Sequence, residues 1–130
     1  MEFMDFWEFR RRWLSHFAKG IPQWKIDKYV VETGDYIWHV FSWGLIGEKS
    51  FLTGDRAREA FDRLCTYEKE NAIFIEPFED EDSFFLLQGD ATSEKLDKYT
   101  EIYAMAKDLS WTYIKTHEGD LCGPYFYRKE

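Results

Sequence analysis

The sequence contains no apolar run approaching the roughly 20 residues that a membrane-spanning helix requires. Its two cysteines, Cys65 and Cys122, are far apart and have no CxxC partner, so neither a zinc ribbon nor a thioredoxin-type redox motif is present. Walker loops, dinucleotide-binding glycine motifs, GxSxG and HExxH are all missing. That removes the motif-borne routes to nucleotide, ester and zinc-peptidase chemistry, and no cofactor or metal is expected. Internal repeats, low-complexity tracts and linkers are absent as well. The N-terminal MEFMDFWEFRRRW puts acids ahead of its basic residues and lacks a small-residue cleavage site, so it does not read as a signal peptide. Without an export signal the two thiols are expected to be reduced and the protein to be cytoplasmic.

What the chain has is aromatic surface: six Trp, eight Tyr and twelve Phe in 130 residues. A chain that rich in buried-prone side chains folds despite 32% charged residues, and its length suits one domain with a real core. The net charge of −8 is unevenly placed. Between Glu68 and Glu101 there are eleven acidic residues against three lysines, while the remainder is neutral, with fourteen of each sign. Nucleic acid is a poor partner for such a chain, since phosphate binding needs clustered Lys and Arg. A basic protein is a better one, because concentrated charge steers association. The plainer alternative is a solvated acidic surface.

The last quarter frames the expected fold. In WTYIKTHEGDLCGPYFY, residues 111–127, Gly119-Asp120 separates two β-favouring runs and signals a two-residue hairpin loop. Counting outward pairs Glu118 with Leu121, His117 with Cys122, Ile114 with Tyr125 and Tyr113 with Phe126. Pro124 lacks an N–H, so the last strand is expected to be an edge or to carry a bulge there. Upstream, Phe6, Phe9, Trp13, Leu14 and Phe17 fall on one face of a helix ending at Gly20 and Pro22. Residues 23–33 are ambiguous between a short helix and a strand. Tyr36 to Trp43, apolar almost throughout, reads as a strand covered on both faces. Asp55 is placed to cap a helix to about Tyr67, with Ala57, Ala60, Phe61 and Leu64 inward and Arg56, Arg58, Asp62 and Arg63 outward. Strands are expected at 71–75, 84–87 and 99–106, and a short helix at 94–98 capped by Ser93. The sum is a single α+β domain, residues 1–130, with N-terminal helices on a mostly antiparallel sheet of five or six strands ending in a C-terminal hairpin.

Candidate residues fall into two groups. Glu76, Glu79, Asp80, Glu81 and Asp82 form an acidic run that could receive a basic partner, or could simply connect two strands. It lacks the alternating ligands and central glycine of an EF-hand, so calcium is not implied. His39, Tyr113, His117 and Glu118 are the alternative: residues of a pocket beside the sheet. His39 is first read as a hydrogen-bonded core histidine. An imidazole beside a thiol can activate it, which makes His117 and Cys122 a pair to check. A divalent cation on His117, Glu118 and Asp120 is disfavoured, because neighbours on a strand point to opposite faces.

WHVFS at 38–42, GDRAREAFD at 54–62 and WTYIKTHE…CGPYF at 111–126 together resemble a family of small, mostly bacterial proteins, domain-of-unknown-function family 4275, over about Tyr36 to Tyr127. The resemblance implies a compact single domain and supplies no activity, cofactor or site. Function is therefore read from charge and size. The leading expectation is a non-enzymatic acidic binding protein, immunity- or antitoxin-like, capping a basic partner such as a toxin. The alternatives are a small enzyme or ligand binder using His39, His117 and Glu118, and a homo-oligomer subunit.

Overall fold

The computed structural model describes residues 6–34, 36–46, 51–76, 84–85, 91–118 and 123–128. Its described strands form one antiparallel sheet. They are β1 (Leu52–Thr53), β2 (Ala72–Ile75), β3 (Phe84–Phe85), β4 (Ile102–Ala106), β5 (Trp111–Lys115) and β6 (Tyr125–Arg128). The order across the sheet is β1-β6-β5-β4-β2-β3, and every neighbour pair is antiparallel. The protein is an α+β domain, and the expected hairpin is its centre: Tyr113 pairs with Phe126 and Ile114 with Tyr125. The hairpin's expected tip, including Leu121 and Cys122, lies outside the described residues.

Both faces of the sheet are covered, because alternate residues along each central strand are apolar on both sides. Ile73, Ile75, Tyr103, Met105, Ile114 and Tyr125 face one layer of helices. These are α1 (Phe6–Phe17), α2 (Gln23–Ile26), which continues into a π-helical turn at Asp27–Val31, and α3 (His39–Ser42). Ala72, Phe74, Ala104, Trp111, Tyr113 and Phe126 face the other layer, built by α4 (Asp55–Asp62) and α6 (Ser93–Leu96). The short α5 (Thr66–Glu70) leads into β2. On the first face Phe9, Trp13 and Phe17 of α1 are buried, as their three-and-four spacing predicts. Trp13 Nε1 donates to Thr112 Oγ1 at 2.9 Å, and that hydroxyl donates to the Ala104 carbonyl at 2.6 Å. A buried polar chain thus joins helix to sheet with each of those groups paired.

One open reading is settled and other expectations change. Of residues 23–33, left open between helix and strand, 23–31 are helical and 32–33 form a turn. Tyr36 to Trp43 is not a strand but a turn leading into α3. Its buried residues are Ile37, Trp38, Val40 and Phe41, whereas His39 is half-buried and Trp43 is 54% exposed. That spacing of one, three and four is a helix face, and the apolar density of the run hid it. β6 is not an edge: β1 covers it, pairing Leu52 with Phe126 and Thr53 with Tyr125. Pro124 stands one residue before the strand, so its missing N–H falls at no ladder position, and its carbonyl accepts from Gly54 N at 3.0 Å. Gly123 beside it has φ 98°, and a Cβ there would meet the Tyr125 ring at 3.1 Å, so glycine is required at that entry to β6. The helix from Asp55 stops at Asp62, with Gly54 rather than Asp55 at its cap position. Asp62, expected to point outward, accepts from Ser93 N and Ser93 Oγ, both at 2.7 Å. It thereby anchors the start of α6, whose own cap is Thr92.

Candidate functional site

At the end of β5 the chain leaves the ladder, and the side chains of Lys115 and His117, on either side of the buried Thr116, tie it to the segment that enters β4. Lys115 Nζ donates to the carbonyls of Tyr99 (2.5 Å) and Thr100 (3.2 Å). His117 goes to Glu101. The Glu101 carboxylate is 93% enclosed and accepts three hydrogen bonds. Oε1 takes the His117 backbone N–H at 2.9 Å and the ring Nδ1 at 2.7 Å, and Oε2 takes the Tyr103 hydroxyl at 2.5 Å. A buried carboxylate needs such partners, since an unpaired one costs several kcal/mol.

Because a carboxylate only accepts, His117 Nδ1 carries a proton, and in the neutral ring Nε2 is left as an acceptor. Nε2 lies 3.6 Å from Glu118 Oε1, and the side chain is 35% exposed. The ring packs beside Tyr36 (centroids 4.9 Å apart) and Trp38 (5.8 Å).

His39 packs against the same two aromatics, 5.7 Å from Tyr36 and 4.4 Å from Trp38. Its Nδ1 is 3.0 Å from the Tyr29 carbonyl and 2.5 Å from Thr33 Oγ1. The Thr33 hydroxyl already donates to that carbonyl at 2.6 Å, so it accepts from the imidazole. Nδ1 is again the protonated nitrogen, and again Nε2 is the acceptor. Burial pushes the His39 pKa below its ordinary 6.5, against the Tyr29 carbonyl and the charges of Glu101 and Glu118, which raise it. Two imidazoles, each oriented through Nδ1 by a fixed acceptor, therefore pack against one aromatic pair, with the charges of Glu101 and Glu118 acting on them. One further polar atom there is unanswered: the buried Trp38 Nε1 has no hydrogen-bond partner.

The structure thus brings together His39, His117 and Glu118 from the expected pocket, and it separates Tyr113. Tyr113 points to the opposite face of the sheet, stacked on Phe61 at 4.6 Å. Glu101 was missed by sequence reasoning, although period-two spacing puts it on the inward face with Tyr103 and Met105. Glu76 is half-buried; Glu79, Asp80, Glu81 and Asp82 lie outside the described residues, as does Cys122. Cys65 is a free, exposed thiol. Among the described residues no cluster of three or more His, Cys, Asp or Glu is placed to hold a metal ion, and no helix is long and apolar enough to cross a membrane. Two clefts lie elsewhere: one of about 380 Å³ around Tyr67, Asp108 and Trp111, and one of about 390 Å³ between α1 and α2.

The model of a family described as a domain of unknown function, DUF4275, matches residues 2–126. The match takes in α1 and α2 as well as the three blocks of sequence that carry the resemblance. No curated protein and no solved structure matches the chain.

Proposed function

The chain belongs to the DUF4275 family, which brings no activity with it, and from the site itself we propose that the domain binds a small polar ligand at His117 and exchanges a proton with it. The supporting observation is the enclosed Glu101 carboxylate, which holds the ring and backbone of a single, one-third-exposed histidine. A histidine oriented through Nδ1 presents Nε2 in a fixed direction, the arrangement that general acid–base work requires. His39 supplies a second oriented acceptor, and Tyr36 with Trp38 supplies an apolar wall of the kind ligand sites use.

The competing account is a clasp: Lys115 and His117 together merely pin residues 99–101. Imidazole resonances of the labelled protein, followed through a library of small polar compounds, separate the two. The proposal expects compounds that shift His117 and His39 in the wild type and fail to do so in a folded Glu101→Gln variant. A library that moves neither ring, with Glu101→Gln altering stability alone, leaves only the clasp.

A second reading keeps the acidic run 76–82 as the docking surface for a basic protein, in a reducing compartment that suits the free Cys65 thiol. Its support is the uneven charge: of the eleven acidic residues between Glu68 and Glu101, set against three lysines, five fall in residues 76–82. Changing Glu79, Asp80, Glu81 and Asp82 to their amides is expected to slow association with a partner recovered by pull-down at low salt. Association that ignores both the change and added salt removes this reading.

A further inference from the structure

The cleft of about 380 Å³ lies where α5 and the β4–β5 turn meet the last residue of β6, and no residue of the His117 cluster lines it. The register builds its floor. Pairing of Met105 with Thr112 brings Ala106 beside Trp111, and Trp111 pairs with Arg128. Cross-strand neighbours share a face, so the three side chains stand in one row, and the small Ala106 leaves space above it. Tyr67, Glu68 and the C-cap residue Asn71 of α5 form one wall. Lys107, Asp108 and Ser110 of the turn form the other. Lys107 N donates to the Asn71 carbonyl at 2.9 Å, which ties the two walls together. A cleft of this size falls within the range of roughly 300–1,000 Å³ found for small-molecule sites.

Its polar groups are unevenly committed. Glu68 accepts from Cys65 N at 3.2 Å and pairs with Arg128. Asp108 accepts from Ser110 N at 3.0 Å, and the Ser110 hydroxyl together with that N–H holds its carboxyl below the ordinary aspartate range. The basic groups have donors to spare. Arg128 commits one nitrogen of a five-donor guanidinium to Glu68. Lys107 is exposed, and its ammonium makes no hydrogen bond or ion pair with a described residue. At the mouth the Tyr67 ring is 73% exposed. We propose that this cleft binds a small monocarboxylate with a flat apolar body, the carboxylate taken by Lys107 and Arg128 and the body laid on Tyr67. A single negative charge matches the one unpaired cation. A dianion such as phosphate would also face the like charges of Glu68 and Asp108. The inference does not depend on the His117 reading.

Nuclear magnetic resonance of the labelled full chain tests this with benzoate, 3-phenylpropionate and indole-3-acetate. At least one of them is expected to shift the Trp111 indole and Asn71 side-chain amide resonances saturably, with the His117 and His39 rings left in place. The corresponding carboxamide should bind at least ~10-fold more weakly, and so should the carboxylate to Lys107→Gln, because a charge-assisted hydrogen bond is lost. Inorganic phosphate should bind more weakly than the carboxylate. Glu68→Gln should act the other way. Its amide oxygen can still accept from Cys65 N, but the cleft loses a negative charge, so affinity should rise several-fold. A gain in affinity cannot come from unfolding, which sets this variant apart from a general loss of structure. The proposal is overturned if no probe shifts Trp111 and Asn71 up to tens of millimolar, or if the shifts appear at His117 and His39 instead. It is equally overturned if the carboxamide or phosphate binds as well as the carboxylate, if Lys107→Gln changes nothing, or if a folded Glu68→Gln variant binds no better than wild type.

Discussion

Both faces of the sheet bury aromatic side chains, but they handle polar atoms differently. On the α4 side the polar groups close the structure on itself. Lys69, 5% exposed, donates to the Ala91 carbonyl at 2.6 Å with Phe61 4.9 Å from its ammonium, and Asp62 fastens Ser93. Tyr113 sits among these with a hydroxyl that has no partner. On the α1 side there are two polar chains: Trp13 to Thr112 to the Ala104 carbonyl within, and Tyr103 to Glu101 to His117 at the rim, where an imidazole meets solvent. Burial of polar groups is therefore no guide to function by itself. What distinguishes the α1 side is a buried acceptor connected to an accessible, titratable group.

The largest test of this contrast removes packing from the closed side. Phe61 is fully buried, stacked on Tyr113 and edge-on to Phe74 and Trp111. Phe61→Ala is expected to destabilise the protein by about 3–5 kcal/mol, the range for emptying an aromatic core site. Denaturant unfolding measures it. The His117 and His39 imidazole resonances should remain in place in the folded variant, because the cavity lies across the sheet from them. If they move, the two faces are not separate.

Glu101→Gln strikes the open side and should cost about 1–3 kcal/mol. The amide retains one acceptor oxygen where the carboxylate used both, so either the His117 interactions or the Tyr103 hydroxyl loses its acceptor. The diagnostic readout is the His117 ring, whose Nδ1 proton should exchange faster with water once its acceptor weakens. A variant as stable as wild type, with that proton still protected, would mean that Glu101 neither holds the ring nor matters to the fold.

Tyr113→Phe should act in the opposite direction. Burial, with the carboxylates of Asp97 and Asp62 adding to it, pushes the Tyr113 hydroxyl well above the ordinary tyrosine range. Among the described residues no group accepts its proton. Deleting a buried, unpaired hydroxyl without changing the ring is expected to be neutral or to stabilise by up to ~1 kcal/mol. A loss above ~1 kcal/mol would reveal a partner for the hydroxyl and bring the α4 side closer to the other in kind.

The same contrast explains what could be read from residues alone. The pairing of Tyr113 with Phe126 and of Ile114 with Tyr125 agrees with the count outward from Gly119-Asp120, since alternation fixes register along a strand, while β5 ends at Lys115 and the expected turn lies outside the described residues. The helix face of α1 followed from spacing. Residues 36–43 did not, since a dense apolar run satisfies strand and helix patterns alike, and only the packing of Ile37, Val40 and Phe41 against α1 and the sheet selects between them. Of the site, His39, His117 and Glu118 were legible as chemistry but not as neighbours. His117 is held by Glu101, just before β4, and His39 meets it across Tyr36 and Trp38, long-range contacts that no local pattern announces.

The smallest expected effect is the pH response of His39. Its folded pKa lies below the ordinary 6.5 because burial disfavours the imidazolium. The unfolded chain therefore binds its proton more readily than the folded one, and stability falls as pH drops from about 6.5 toward the folded value. Above 6.5 the ring is neutral in both states and the contribution is constant. Unfolding followed between pH 7.5 and 5 in wild type and His39→Gln should show a shallower acid slope in the variant, by less than the ~1.4 kcal/mol per pH unit that one whole proton would give. The side chain is only half-buried and the carboxylates of Glu101 and Glu118 oppose the shift, so the difference is modest. Its sign is the informative quantity. A steeper loss in the variant would mean that protonation of His39 favours the fold, that the rim carboxylates outweigh burial, and that His39 and His117 form one charged cluster rather than two neutral acceptors.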